Sequence, residues 1–217
     1  MDLLTRFLYN LNAFFKITPL LYSFPGIIVA LTFHEYAHAF IAYRMGDNTA
    51  KMYGRLTLNP IAHLDPLGFL CLIVTRSFGW AKPVPVNDMN FRNRKSGLLL
   101  VSLAGPLANF LLAFLIALIY RLVFYKAGNV ILGMLQYAYF INLGLGVFNL
   151  IPIPPLDGSK ILDSFLTNRQ RFMLRRYEVY SNIIILLLVF SGFISIILNP
   201  LISFLNFIIN SIVSLII

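Results

Sequence analysis

The sequence predicts an all-α membrane protein: a polytopic bundle of about five to six transmembrane helices, with a re-entrant or extended segment near the active site. Residues 1–217 read as one integral-membrane domain. Three observations carry this. Of the residues, 59% are hydrophobic and 12% charged, which is not a soluble domain's balance. Several apolar stretches reach the roughly 20 residues that a helix needs to cross a ~30 Å hydrocarbon core. One of them, from about Pro19 to Tyr43, holds His34-Glu35-Tyr36-Ala37-His38 inside its apolar run. Ionisable groups in lipid are expensive unless they work or are paired.

The elements follow in order. Residues 1–18 mix Arg6, Asn10, Asn12 and Lys16 with Leu and Phe, as an interfacial helix or a poor first span would. Asp2 and Arg6 precede an apolar stretch too long for a cleavable signal peptide. Residues 19–43 form the first span. Residues 44–65 are polar and rich in turn formers, with Gly46-Asp47, Gly54 and Asn59-Pro60. Leu67 to Thr75 is apolar but too short to cross, so a re-entrant or interfacial segment is expected.

Residues 76–96 are polar again. Lys82-Pro83-Val84-Pro85-Val86-Asn87 reads as extended chain, because proline disfavours helix in the residue before it. Further spans are expected at 97–120, 130–151 and 178–198. A last one covers 201–217, set off by Asn199-Pro200.

The net charge of +9 could suggest nucleic acid, but its distribution points to topology. Lys and Arg number eight in 44–96, five in 151–177, two in 121–129 and two in 1–18. The two richest loops are separated by two crossings and share a side, which the positive-inside bias makes cytoplasmic. His34 then lies roughly 15 Å along its helix from Arg44, below that surface but within reach of water. The single cysteine, Cys71, excludes an internal disulfide.

His-Glu-x-x-His puts two imidazoles at i and i+4 on one helical face with a carboxylate beside them. Two nitrogen ligands plus a base are what metal-assisted hydrolysis requires. The bland alternative, satisfied core histidines with Glu35 paired to a base, lacks a Lys or Arg well inside another span. A catalytic zinc site also wants a third protein ligand. The metzincin position is Arg44, which excludes that pattern. His63 is one candidate, in a polar loop. Asp157 is the better one, within Asn149-Leu150-Ile151-Pro152-Ile153-Pro154-Pro155-Leu156-Asp157-Gly158. Three prolines in four positions cannot continue a helix, so extended backbone is expected there, delivering a carboxylate to a polar site. Asp157 could equally cap a helix starting at Gly158-Ser159.

His34 to His38, then Ala104-Gly105-Pro106-Leu107-Ala108-Asn109, then Asn149 to Pro152 through Leu156-Asp157-Gly158 together resemble the site-2 protease family of intramembrane zinc metalloproteases. The likeness covers about residues 20 to 165. Asn59 to Gly68 and Trp80 to Asn87 look like its compact prokaryotic members, without PDZ or CBS domains. The resemblance implies one Zn2+ per chain on His34, His38 and Asp157, with Glu35 as general base and later proton donor. Asn149 matches an asparagine assisting at the oxyanion; it could equally close carbonyls freed before Pro152. Asn109 is expected to bridge helices by packing near the site. His63 with Asp65 is expected to brace its loop.

The activity expected is hydrolysis of a peptide bond in or near the transmembrane segment of another membrane protein. A helical substrate hides its amides and must unwind, and the extended segments are candidates to receive it as an added strand. The expected setting is a lipid bilayer, the prokaryotic plasma membrane by resemblance, with the site open to the cytoplasm and no nucleic-acid partner. The oligomeric state stays open. The rival reading is a metal-binding transporter or sensor without proteolytic activity, for which Glu35 need not act as a base.

Overall fold

The computed structural model describes residues 18–75 and 79–217, and the expectation for residues 1–17 lies outside them. The described chain is helical: α1 (Thr18–Met45), α2 (Thr49–Met52), α3 (Pro66–Thr75), α4 (Arg94–Val123), α5 (Asn129–Asn149), α6 (Asp157–Phe165), α7 (Asn168–Phe190) and α8 (Phe193–Ile216). Single 3-10 turns lie at Pro60–Ala62 and Asp88–Asn90. One isolated antiparallel bridge joins Leu64 to Ala81.

Helices α1, α4 and α5 pack on one another and form the centre of the bundle. Small residues let them approach. A Cβ on Gly26 of α1 would lie 2.6 Å from Ala138 Cα of α5. Ala30 meets Asn109 and His38 meets Val101, so α1 runs antiparallel to α4. Ala113, Ile116 and Ala117 of α4 then pack with Tyr139 and Leu143 of α5 and with Ile209 and Val213 of α8. Val213 and Ile217 share a cavity with Tyr120 and Tyr125, so α8 ends where α4 ends.

Among the described residues, α4, α5 and α8 are long and apolar enough to cross a membrane. Their limits match the spans expected at 97–120 and 130–151 to within a few residues. With 28 residues, α1 is about 42 Å long. Its hydropathy is lowered by His34, Glu35 and His38 themselves, and its antiparallel packing on α4 makes it a fourth crossing by placement. The described residues thus account for four crossings, short of the five to six expected.

Two expectations change at the C-terminal end. The break expected at Asn199-Pro200 occurs instead at Ser191-Gly192, and Pro200 lies inside α8. Gly192 takes φ +73°, the left-handed turn that ends helices and that glycine adopts without a Cβ penalty. A proline removes one intrahelical bond, which a long packed helix survives. The span expected over 178–198 is therefore split. The apolar part of α7, Glu178–Val189, is shorter than a crossing. It starts beside α6, where Arg171 Nε pairs with Asp163 Oδ1 at 3.2 Å. It ends at the turn into α8, and α7 is not among the described helices long and apolar enough to cross.

Candidate metal centre

The site is built on one turn of α1. His34 and His38 stack one above the other, ring centroids 4.6 Å apart and nearly perpendicular. Their Nε2 atoms lie 3.0 Å from each other. Asp157 Oδ2 lies 3.1 Å from each of them. All three side chains are buried, at 4%, 7% and 5% exposure. They form the group among the described residues able to hold a metal ion.

The carboxylate arrives by a tight fold. The Leu150–Leu156 backbone turns on itself, with Ile153 N donating to Ile151 O at 2.8 Å and Leu156 N to Ile153 O at 3.0 Å. The prolines there do exclude helix, but the extended chain expected at Pro152–Asp157 is a run of turns. Those local bonds satisfy the backbone more compactly than an open edge would. Helix α6 then starts at Asp157 with Leu156 as N-cap, so the Asp157 carboxylate is not capping its own helix. Gly158 is required for this approach, because a Cβ there would overlap Leu150 O and lie 2.5 Å from Ile151 O.

The other face of each imidazole is fixed. His38 Nδ1 donates to Val101 O at 2.7 Å. His34 Nδ1 donates to Asn109 Oδ1 at 2.7 Å. Protonation at Nδ1 leaves both Nε2 lone pairs for an ion. Gly105 of α4 faces the pair, and a Cβ there would overlap His38 Nε2 and lie 2.6 Å from His34 Cε1.

This donor set fits zinc. Two imidazoles and a carboxylate are a catalytic-type set with one position left open. Tetrahedral bonds of ~2.0–2.1 Å put ligand atoms about 3.3 Å apart, close to the spacing seen here. His63, the other candidate third ligand, is not brought to the site. It is buried at 1% exposure, where Nε2 donates to Thr57 O at 2.8 Å and its carbonyl accepts from Lys82 N at 2.9 Å. Asp65 Oδ1 accepts from Gly68 N at 2.8 Å at the start of α3. Both residues brace their loop, as expected.

The triad opens onto a cavity of about 590 Å³, lined also by Glu35, Pro83, Val84, Val86 and Asn149. Glu35 Oε2 accepts a hydrogen bond from Val84 N at 2.8 Å. Lys82–Asn87 is without helix or turn, as the prolines predict, and passes across the mouth. Its ends are tied down: Arg55 donates to the carbonyls of Lys82 and Pro83 at 3.4 Å, and Asp47 Oδ2 accepts from Asn87 N at 2.8 Å. Asn149 Nδ2 donates to Leu145 O at 3.0 Å, leaving its second N–H and its carbonyl at the cavity wall.

Four contributions escaped the sequence reading. Val101 O and the Val84 N–H are backbone groups with no residue signature. Gly105 stands within the Ala104–Asn109 motif, but only the packed helices show that it clears both imidazoles. Asn142, which bonds Asn109, did carry a signal, since an amide in mid-span is rarely idle.

Known proteins agree with this chemistry. The sequence profile of Peptidase family M50 matches residues 124–192. "Putative zinc metalloprotease YwhC" of Bacillus subtilis is 39% identical over 205 residues, covering 91% of both chains. "Putative zinc metalloprotease Rip2" of Mycolicibacterium smegmatis is 35% identical over 65% of this chain and 56% of its own length. "Zinc metalloprotease MJ0392" of Methanocaldococcus jannaschii is 25% identical over 72% of this chain and 38% of its own. No solved structure matches. A likeness to YwhC running nearly end to end, over a buried His-His-Asp group, makes this chain a zinc metalloprotease belonging to Peptidase family M50.

Proposed function

We propose that this enzyme is an intramembrane endopeptidase, cutting a peptide bond in or near the transmembrane segment of another membrane protein. The observation that carries the reading is the position of the His34, His38 and Asp157 group. It lies among helices α1, α4 and α5, whose composition suits lipid, and beside a cavity holding a carboxylate. Zinc held by these three residues supplies Lewis acidity and brings the pKa of water toward ~7.

The chain's own groups do the rest. Glu35 takes the proton of the attacking water through the oxygen not held by Val84, and later returns it to the leaving amine. The free N–H of Asn149 faces charge developing on the carbonyl oxygen, where a buried donor is worth several kcal/mol, of the order of 3. His34 and His38 stay oriented by Asn109 and Val101 O throughout.

A substrate helix must give up its own hydrogen bonds before an amide can be attacked. The Lys82–Asn87 segment is suited to receive it. On one edge the Val84 N–H is held by Glu35, leaving the Val86 N–H and the two valine carbonyls for a substrate, while Pro83 and Pro85 have no N–H to offer on the other. The substrate therefore pairs on the Glu35 side, in register with the base. The loops rich in Lys and Arg support a cytoplasmic mouth, and the likeness to bacterial and archaeal proteins supports a prokaryotic plasma membrane.

Glu35→Gln tests the reading. The variant is expected to keep zinc in full and to lose cleavage of a transmembrane substrate in proteoliposomes. Cleavage at the wild-type rate would remove Glu35 from the chemistry, and no cleavage by the wild-type protein itself would favour one that only handles the ion.

A further inference from the structure

We infer that Asn142, on α5 and out of reach of the metal, is a positioning residue that sets the tautomer of His34 through Asn109. The inference rests on the zinc-site reading above and goes beyond it to a side chain that touches no ligand atom.

Asn142 and Asn109 are both fully buried, at 0% exposure, between α1, α4 and α5. Asn142 Nδ2 bonds Ala138 O at 2.8 Å. A backbone carbonyl can only accept, so this end of Asn142 is the donor and Oδ1 must face the other way. Oδ1 lies 3.0 Å from Asn109 Nδ2, which also donates to Ala30 O at 3.1 Å. Asn109 is thereby turned with its own Oδ1 toward His34 Nδ1, at 2.7 Å. An acceptor there requires Nδ1 to carry the proton, and Nε2 is left with the lone pair.

The direction of every bond follows from two main-chain oxygens, Ala138 O and Ala30 O. Were the Asn109 amide reversed, its NH2 would face His34 Nδ1 and draw the proton to Nε2, where it blocks metal binding. Ala30 O alone resists that reversal with one bond, and Asn142 adds the second. In a dry helical interface a misplaced amide has no water to correct it. Partners in this position typically change metal affinity by roughly 10- to 100-fold.

The experiment measures zinc affinity of the purified full chain, by competition with a chromophoric chelator, and the visible spectrum of the cobalt form. Asn142→Leu is expected to weaken zinc about tenfold or more. Asn142→Asp, which in its protonated form keeps an acceptor for Asn109 and a donor for Ala138 O, should retain wild-type affinity and confirm that the fold tolerates change there. In an Asn109→Leu background His34 Nδ1 has lost its side-chain acceptor, so nothing is left for Asn142 to orient. There Asn142→Leu should change affinity by no more than about twofold, the scatter of independent sites. Equal losses from Asn142→Leu in both backgrounds would mean that Asn142 acts by packing, and would overturn the inference while leaving the metal site intact. A wild-type chain that binds no zinc would overturn the site reading along with it.

Discussion

The backbone N–H of Val84 lies 2.8 Å from Glu35 Oε2, joining an extended loop to the centre of a helix 49 residues away. Val84 stands between two prolines, so proline at this position keeps the extended backbone and removes only the donor. A hydrogen bond to a charged group is worth about 1.5–3 kcal/mol. Val84→Pro is therefore expected to lower kcat roughly 10- to 100-fold with zinc content unchanged. Val84→Ala, which keeps the N–H, should stay near wild type. Equal activity in the two variants would release Glu35 from this contact.

Gly105 supplies clearance for both imidazoles. Alanine is the better helix former by about 1 kcal/mol, so Gly105→Ala would ordinarily stabilise α4. Here its Cβ overlaps the zinc-facing nitrogen of His38. The expected result is loss of bound zinc, read by metal analysis, in a protein that still folds in detergent. Full zinc in Gly105→Ala would mean that the ligands sit elsewhere.

Asp47 gives the pH prediction. Burial pushes its carboxyl up, but hydrogen bonds from the Thr49 hydroxyl, the Asn90 side chain and the Asn87 and Thr49 backbone outweigh it and hold the group below its usual range. A depressed carboxylate stabilises the fold above its unfolded pKa, about 3.9, and that contribution is lost as pH falls through the lower folded value. Wild type should therefore exceed Asp47→Asn in Tm at pH 6, and the gap should close below about pH 4. A gap that holds constant into acid would show that the charge is not what matters.

Gly192 marks the turn that replaces the expected Asn199-Pro200 break. A residue with a Cβ at φ +73° costs about 1–2 kcal/mol. Gly192→Ala should lower Tm by a few degrees, whereas Pro200→Ala, which restores a helical bond, should raise it. The opposite ranking would put the boundary back at Pro200.

The metal site was legible in the sequence where its geometry is local. His34 and His38 share a face by spacing alone, and Asp157 stood out because prolines stop a helix just before it. Its approach was misjudged, since prolines exclude helix without choosing between extended chain and turns. The bonds that aim the ligands come from Val101 O, Asn109 and Asn142, which meet only once α1, α4 and α5 are packed. At the C-terminal end the hydropathy of residues 178–217 runs on through Gly192, so composition could not mark the turn that one glycine makes.

X-ray absorption at the zinc edge of the purified protein in lipid nanodiscs tests the central claim most directly. The account predicts one zinc per chain with nitrogen and oxygen neighbours at about 2.0–2.1 Å, a two-imidazole signature, and loss of one oxygen neighbour in Asp157→Ala. A sulfur neighbour near 2.3 Å, or an unchanged shell in Asp157→Ala, would contradict it.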